Sequence, residues 1–255
     1  MQEITAINPF ATARRYQRVT TFPRGRLRTG RKAVTVRSML DWNHIDTVLL
    51  DMDGVLLDLA FDHRFWHEEL PDRYAAVHGM EPAAAREKLI AMYREREGSM
   101  EWYDVDYWSR RLGFDVASIK VRVAHGIVEH PGVRDFLQRV RQRGCRSILL
   151  TNAHPKTLRL KMAVTRLAPL LDEVISTFEL GAGKESRALW ERLRKRLDFD
   201  PARTVLVEDS ATNLKSAQAY GLEHLVYISR PNSMHGAAPH PEFMSVEGLS
   251  DLSPP

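Results

Sequence analysis

Cysteine, long apolar runs and nucleotide-binding glycine motifs are scarce or missing in this sequence. Cys145 is the single cysteine among 255 residues, which excludes an internal disulfide and a cysteine metal cluster. No apolar run approaches the roughly 20 residues that a membrane span needs. No Walker loop is present and no Gly-x-Gly-x-x-Gly follows a predicted strand, so ATP and dinucleotide binding have no support. We therefore expect a cytoplasmic protein that does not associate with membranes.

The composition is typical of a folded globular chain. Hydrophobic residues make up 44% of the sequence and charged residues 27%, which excludes collagen-like and fully disordered proteins. A chain of 255 residues is long enough for one large domain or for a core with an insertion.

Positive charge is concentrated at the start of the chain. Residues 1–38 contain nine Lys and Arg and one acid, whereas the rest of the chain has four more acidic than basic side chains. Because Pro23, Gly25 and Gly30 interrupt this segment and it lacks sustained periodicity, we predict a basic, disordered extension. An organelle transit peptide, a nucleic-acid-binding arm and a true start at Met39 are the alternatives. Since the remaining body is mildly acidic, we do not expect nucleic acid as its partner.

From residue 47 onward, short aliphatic or β-branched runs alternate with amphipathic segments. This alternation is typical of an α/β fold in which helices cover a parallel sheet. We predict a doubly wound, Rossmann-like sheet with five strands, at residues 47–51, 147–151, 173–177, 204–208 and 225–228. The helices predicted for this core lie at residues 131–143, 156–167, 184–197 and 211–220.

A long insertion follows the first predicted strand. Residues 60–125 are too many for a loop, and the segments with helical character within them are 64–77, 82–96 and 102–112. We therefore predict three parts: the extension over residues 1–38, an α/β core formed by residues 39–59 and 126–255, and a small helical cap over residues 60–125.

Polar side chains follow several of the predicted strands. In a doubly wound sheet, ligands bind beyond the carboxyl ends of the strands. Taken singly, each group is explained as a turn, a helix cap or a surface residue. Their joint position at successive strand ends predicts one catalytic crevice, formed by Asp51 and Asp53, Thr151 and Asn152, Lys184, and Glu208 and Asp209.

These residues resemble the four motifs of the haloacid dehalogenase-like (HAD) hydrolases, which read here Asp51-x-Asp53-Gly54, Thr151, Lys184 and Glu208-Asp209. The resemblance covers nearly all of residues 45–228, and residues 46–66 and 149–158 are most similar to the GMP/IMP nucleotidase branch. Val55 departs from the threonine that often follows this glycine, which puts one hydrogen bond near the nucleophile in doubt. Glu208 departs from the usual Gly or Asp, which leaves the number of carboxylates at a metal open.

The resemblance implies a Mg²⁺-dependent hydrolase of phosphate monoesters. Asp51 is expected to attack phosphorus and form an aspartyl-phosphate, while Asp53 acts first as general acid and then as general base. The phosphate is expected to contact the Thr151 hydroxyl, the Asn152 N–H group and the Lys184 ammonium. The expected Mg²⁺ ligands are Asp51, the backbone carbonyl of Asp53, Asp209 and, directly or through water, Glu208.

Substrate choice is expected to lie in the cap. Four aromatic residues fall on one predicted helix, where one of them could stack on a purine: Trp102, Tyr103, Tyr107 and Trp108. Asp62, His63 and Arg64 could line the crevice. His63 and His67 have metal-ligand spacing, but without a His-Glu-x-x-His motif we do not expect zinc.

The expected substrates are purine 5′-nucleotides such as IMP and GMP, as the resemblance implies. The main alternative is a phosphosugar phosphatase or a phosphoglucomutase-type enzyme, which shares the four motifs. A dehalogenase is less expected, because its chemistry needs neither Asp53 nor a metal. Outside enzymes, the alternative is a binding module without activity that its basic extension directs to nucleic acid.

Overall fold

The computed structural model describes residues 40–252 and 254, which contain a six-stranded parallel sheet of order β3-β2-β1-β4-β5-β6. Its strands are β1 (Thr47–Leu50), β2 (Arg146–Thr151), β3 (Glu173–Ser176), β4 (Thr204–Glu208), β5 (His224–Ile228) and β6 (Met244–Val246). The predicted doubly wound sheet and its five strands are confirmed, with ends that shift by at most one residue. The short edge strand β6 was not predicted. The predicted extension over residues 1–38, and Met39, lie outside the described residues.

Strand β1 is central and buried on both faces, as expected of a parallel strand between two layers of helices. Val48 and Leu50 belong to one hydrophobic cluster with Phe136 of the helix that precedes β2. Leu49 points to the other face and belongs to a second cluster with Trp190. The uninterrupted apolar run of β1 therefore supplies both halves of the core.

The core helices are α7 (Val133–Gln142), α8 (Pro155–Thr165), α9 (Arg187–Leu197) and α10 (Ala211–Tyr220). All four were predicted, but α7 begins at Val133 and not at Pro131, and α9 begins at Arg187 and not at Lys184. Helix α10 ends at Tyr220, as predicted, and Gly221 follows it with a φ of 117°, in the region that favours glycine.

A helical insertion connects β1 to α7. It consists of α1 (Ala60–Arg64), a π-helical segment (Phe65–Glu69), α2 (Leu70–His78), α3 (Pro82–Arg94), α4 (Met100–Tyr103), α5 (Val105–Leu112) and α6 (Val116–Arg122). The helical segments after α1 share a hydrophobic cluster of their own around Phe65 and Trp108, whereas Phe61 of α1 belongs to a cluster of the sheet. We propose that this insertion is the predicted cap.

The insertion differs from the prediction in three places. The helix predicted at residues 64–77 begins earlier, at Ala60, and is interrupted by the π-helical segment. The predicted helix at residues 102–112 is divided at Asp104, whose carboxylate accepts hydrogen bonds from the first N–H groups of α5. Helix α6 was not predicted. In the part of the chain that the structure describes, none of the helices has the length and apolar character needed to cross a bilayer.

Candidate active site

The sheet places the polar residues that follow β1, β2 and β4 side by side. Strand β1 pairs with both neighbours, and Leu50 lies in register with Leu149 of β2 and with Val207 of β4. Asp51 therefore emerges between the ends of these two strands, and its N–H donates to the Val207 carbonyl over 3.1 Å. The predicted convergence of these strand ends is present in the structure.

Lys184 binds two carboxylates at this edge of the sheet. Its Nζ lies 2.7 Å from Asp51 Oδ1 and 2.6 Å from Glu208 Oε2, and the residue is 1% exposed. Lys184 belongs to the loop before α9, because Ser186 caps that helix with its side chain. The two carboxylates raise the pKa of the Lys184 ammonium against the opposing effect of burial, so it stays charged.

Glu208 is fully buried and uses both of its oxygens. Oε2 accepts from Lys184, and Oε1 accepts from the N–H groups of Asp209 and Ser210, each over 3.1 Å. Burial raises the pKa of Glu208. This carboxylate therefore fixes both Lys184 and the start of the segment that carries Asp209.

The residues at this edge fit a divalent metal ion. Oxygens of Asp51, Glu208 and Asp209 lie within 4.8 Å of one another. Burial, followed by repulsion from neighbouring carboxylates, raises the pKa of Asp51 and of Asp209 to about 7. An ion of two positive charges would relieve this repulsion, and its hard oxygen ligands are of the type that Mg²⁺ prefers.

Gly54 allows Asp209 to approach the first motif. Its φ is 83°, and an added Cβ would overlap the Asp209 carboxylate and lie 2.9 Å from Pro231 Cβ. Glycine is therefore required here both by its backbone conformation and by the space that Asp209 occupies.

Thr151 and Asn152 lie beside this cluster, and both are buried. The Thr151 hydroxyl accepts a hydrogen bond from the Ala153 N–H group over 3.0 Å. Asn152 Oδ1 accepts from the Lys184 N–H group and from the Thr177 hydroxyl, each over 3.0 Å. The Asn152 side chain thus holds the loop that carries Lys184, a role that the sequence did not reveal.

Asp53 lies beside a lysine that sequence analysis missed. Its Oδ1 is 2.5 Å from Lys161 Nζ of α8, and Lys161 also forms an ion pair with Asp62. Asp62 in turn lies 2.7 Å from Lys120 Nζ of α6. Asp62 therefore sits in a buried ion network, and does not simply line a crevice as first considered.

Burial, opposed by Lys161, raises the pKa of Asp53 to about 6. For Asp62 burial would also raise the pKa, but Lys120 and Lys161 outweigh it and hold the pKa below its usual value. One available signal for Lys161 was its spacing: it falls on the buried face of α8 with Leu158 and Thr165, where a lysine is unusual.

The insertion contacts this site through Tyr103. The Tyr103 hydroxyl donates to Glu185 Oε1 over 2.6 Å, and Asn152 Nδ2 donates to the same carboxylate over 3.2 Å. The predicted aromatic set does not share one helix: Trp102 and Tyr103 lie on α4, whereas Tyr107 and Trp108 lie on α5. Trp108 is buried in the insertion's own cluster.

The histidines of α1 and the π-helical segment lie against each other with their rings tilted. The ring centroids of His63 and His67 are 4.6 Å apart, and His235 approaches His63 at 6.0 Å. Arg64 is exposed. Among the described residues, the groups of three or more possible ligands do not include His63 or His67.

Comparisons with known proteins agree with this geometry. Residues 45–221 match the family model of haloacid dehalogenase-like hydrolases. The chain is 36% identical to the GMP/IMP nucleotidase YrfG of Escherichia coli over 192 residues, which cover 75% of this chain and 86% of that protein. It is 26% identical to a phosphorylated carbohydrates phosphatase of Thermotoga maritima, covering 71% of this chain and 84% of that protein.

The fold is also found among solved structures. The crystal structure of a HAD phosphatase from Thermococcus onnurineus superposes with a TM-score of 0.70 at 23% identity, covering 82% of this chain and 96% of that one. The predictions of an enzyme and of its fold are confirmed. The chain belongs to the haloacid dehalogenase-like hydrolase family.

Proposed function

We propose that the protein is a Mg²⁺-dependent phosphomonoesterase that hydrolyses purine 5′-nucleotides, IMP and GMP, to nucleoside and phosphate. The observation that carries the chemistry is Lys184, whose buried ammonium lies between Asp51 and Glu208 at the strand ends. The choice of nucleotide rests on the 36% identity to the GMP/IMP nucleotidase of E. coli.

The reaction would run in two displacements at phosphorus. An Asp51 oxygen attacks phosphorus, the bond between phosphorus and the ester oxygen breaks, and Asp53 gives its proton to the departing alkoxide. Water then attacks the phosphorus of the aspartyl-phosphate, Asp53 takes a proton from that water, and the Asp51 carboxylate is released. The raised pKa of Asp53, about 6, suits a group that must carry a proton in one step and accept it in the next.

The groups that would bind the phosphoryl oxygens are the Thr151 hydroxyl, the Asn152 N–H group and the Lys184 ammonium. Asp51, the Asp53 carbonyl and Asp209 would hold the metal, with Glu208 as the further predicted ligand. When bound, Mg²⁺ supplies positive charge that offsets the repulsion between the Asp51 carboxylate and a phosphate dianion. Glu208 keeps Lys184 in place through its Oε2 atom.

A panel of phosphate esters tests the proposal. Purified protein with Mg²⁺ is expected to release inorganic phosphate fastest from IMP and GMP, compared with AMP, pyrimidine nucleotides and hexose phosphates. Asp51→Asn is expected to lower phosphate release at least 10³-fold, because the nucleophile is lost. Its thermal unfolding is expected to stay near that of the wild type, because asparagine has the size of aspartate. An active Asp51→Asn variant would exclude the covalent mechanism.

The phosphosugar alternative has its own support in the 26% identity to the phosphorylated carbohydrates phosphatase of T. maritima. Both candidates share the residues of the core and differ in the leaving group. Fastest release from a hexose phosphate in the same panel would contradict the nucleotidase proposal and leave the phosphomonoesterase chemistry standing.

A further inference from the structure

A row of four charged side chains, two buried lysines and two partly buried aspartates, begins at Asp53 and leads away from the phosphate site. Lys161 contacts Asp53 and Asp62, and Asp62 contacts Lys120. Lys161 and Lys120 are 1% and 3% exposed. The row joins three elements: Lys161 lies on α8 of the core, Asp62 on α1 and Lys120 on α6 of the insertion.

Both lysines need a negatively charged partner, because burying an unpaired ammonium destabilises the folded state. Lys120 is enclosed by aromatic rings, with its Nζ 4.8 Å from the Phe65 centroid and 5.3 Å from the Trp66 centroid. Lys120 Nζ donates a hydrogen bond to Asp62 Oδ1, and Lys161 Nζ donates one to the other oxygen of Asp62, Oδ2.

Lys161 is consequently held on one side while it donates to Asp53 on the other. One turn later, the Thr165 hydroxyl donates a hydrogen bond to the Lys161 carbonyl over 2.8 Å. A carboxyl that transfers protons must lie within hydrogen-bond reach of the ester oxygen and the attacking water. A misplacement of 1 Å costs a rate on the order of 10²-fold.

We propose that Lys161 is a positioning residue that holds the Asp53 carboxyl for proton transfer, and that Asp62 and Lys120 hold Lys161 in turn. This inference rests on the proposed function, since it assigns Lys161 a task in that reaction. Lys161 acts through Asp53 and makes no contact with the substrate.

A double-mutant cycle tests the dependence of Lys161 on Asp53. Lys161→Met is expected to lower kcat on the fastest ester of the panel about 10²-fold with KM within about threefold. Asp53→Asn is expected to lower kcat about 10²- to 10⁴-fold. Because Lys161 acts through Asp53, adding Lys161→Met to Asp53→Asn is expected to lower kcat by no more than a further twofold.

The matched control is Lys156→Met. Lys156 lies on the same helix, and its Nζ also pairs with a carboxylate of the insertion, Asp106 Oδ1, at 2.6 Å. This exposed pair does not include Asp53, so kcat is expected to stay within twofold of the wild type.

Thermal unfolding is followed for every variant, since Lys161→Met removes the cation between two acids. If Lys161→Met does not fold, Asp62→Asn replaces it in the cycle. The Asp62→Asn variant keeps Lys161 and removes the negative charge that pairs with it. Asp62→Asn is expected to lower kcat about 10-fold, and again to add no more than twofold to Asp53→Asn.

Three results would overturn the inference: a kcat of Lys161→Met above half that of the wild type, a rise in KM at unchanged kcat, or losses that multiply in the double variant. If the wild-type enzyme is active, any of these results refutes only the role assigned to Lys161 and leaves the proposed function standing. A wild type that releases no phosphate from any ester refutes the proposed function as well.

Discussion

At the scale of single residues, Gly54 allows the loop after β1 to approach Asp209, which follows β4. Its positive φ strains any other residue, and the Asp209 carboxylate occupies the space that a Cβ would need. The first motif therefore needs glycine at this position because of a contact made with a residue of the fourth motif.

Gly54→Ala is expected to lower kcat about 10²-fold, because the added methyl group displaces Asp209 from Asp51. Gly79→Ala is the control. Gly79 has a φ of 61° with nothing within 4 Å of an added Cβ, so it carries the backbone strain without the overlap. It is expected to lose about 1 kcal/mol of stability with kcat unchanged. Steady-state kinetics and thermal unfolding of both variants check this, and equal kcat values for the two would contradict it.

The residues of the site divide into those that sequence analysis could find and those that it could not. Asp51, Thr151 and Glu208 are next to or within apolar runs that define strands, so their place at a strand end follows from local pattern. Lys161 meets Asp53 across 108 residues of sequence, and Lys120 meets Asp62 across 58. No local pattern encodes such pairs, because they depend on how α6 and α8 pack against α1.

At the scale of elements, the contact between α4 and the loop before α9 joins the insertion to the phosphate site. Burial and the charge of Glu185 raise the pKa of Tyr103, so its hydroxyl stays protonated and donates to Glu185. Glu185 accepts from Asn152, which in turn accepts from the Lys184 N–H group. A movement of α4 would therefore change the position of the loop that carries Lys184.

Tyr103→Phe is expected to lower kcat/KM about 10-fold, because it leaves the Glu185 carboxylate with one hydrogen-bond donor fewer in a partly buried site. Tyr107→Phe removes a hydroxyl that accepts from Arg96 within the insertion, and it serves as the control. Kinetics of both variants on the fastest ester measure the difference. The link between α4 and the phosphate site would be wrong if both variants kept wild-type kcat/KM.

Element boundaries were predicted less well than the elements themselves. Strand β6 has three residues, and α6 has seven, too few for a clear periodic pattern. Helix α9 begins after Lys184 because the Ser186 side chain caps it. Several neighbouring polar residues could have capped the helix, and the conformation of the loop decides which of them does. Longer amphipathic segments were found: the helix predicted at residues 131–143 is present as α7, and its apolar residues Val133, Phe136, Leu137 and Val140 are buried.

At the scale of the whole molecule, ionisable groups buried on folding make stability depend on pH in opposing ways. Burial and neighbouring charge raise the pKa values of Asp51, Asp53 and Asp209, so the folded state takes up protons more readily than the unfolded state there, and these groups favour folding as pH falls. Burial, followed by the charges of His63 and Arg86, lowers the pKa of His67 to about 4. This histidine has the opposite effect.

Between pH 6.5 and pH 4 the unfolded state binds more protons at His67 than the folded state, so its contribution to stability is complete above pH 6.5 and is lost as pH falls toward 4. His67→Asn removes this loss, whereas the acids above are common to both proteins and cancel in the comparison. After allowance for partial exposure, the free energy of unfolding of the wild type is expected to fall about 1 to 2 kcal/mol more than that of His67→Asn between pH 7 and pH 4.5. Urea unfolding at several pH values measures the difference.

His125→Asn is the control: it lies at an exposed site, and its stability should follow the wild-type curve. Parallel curves for the wild type and His67→Asn would show that burial does not hold His67 neutral in the folded state.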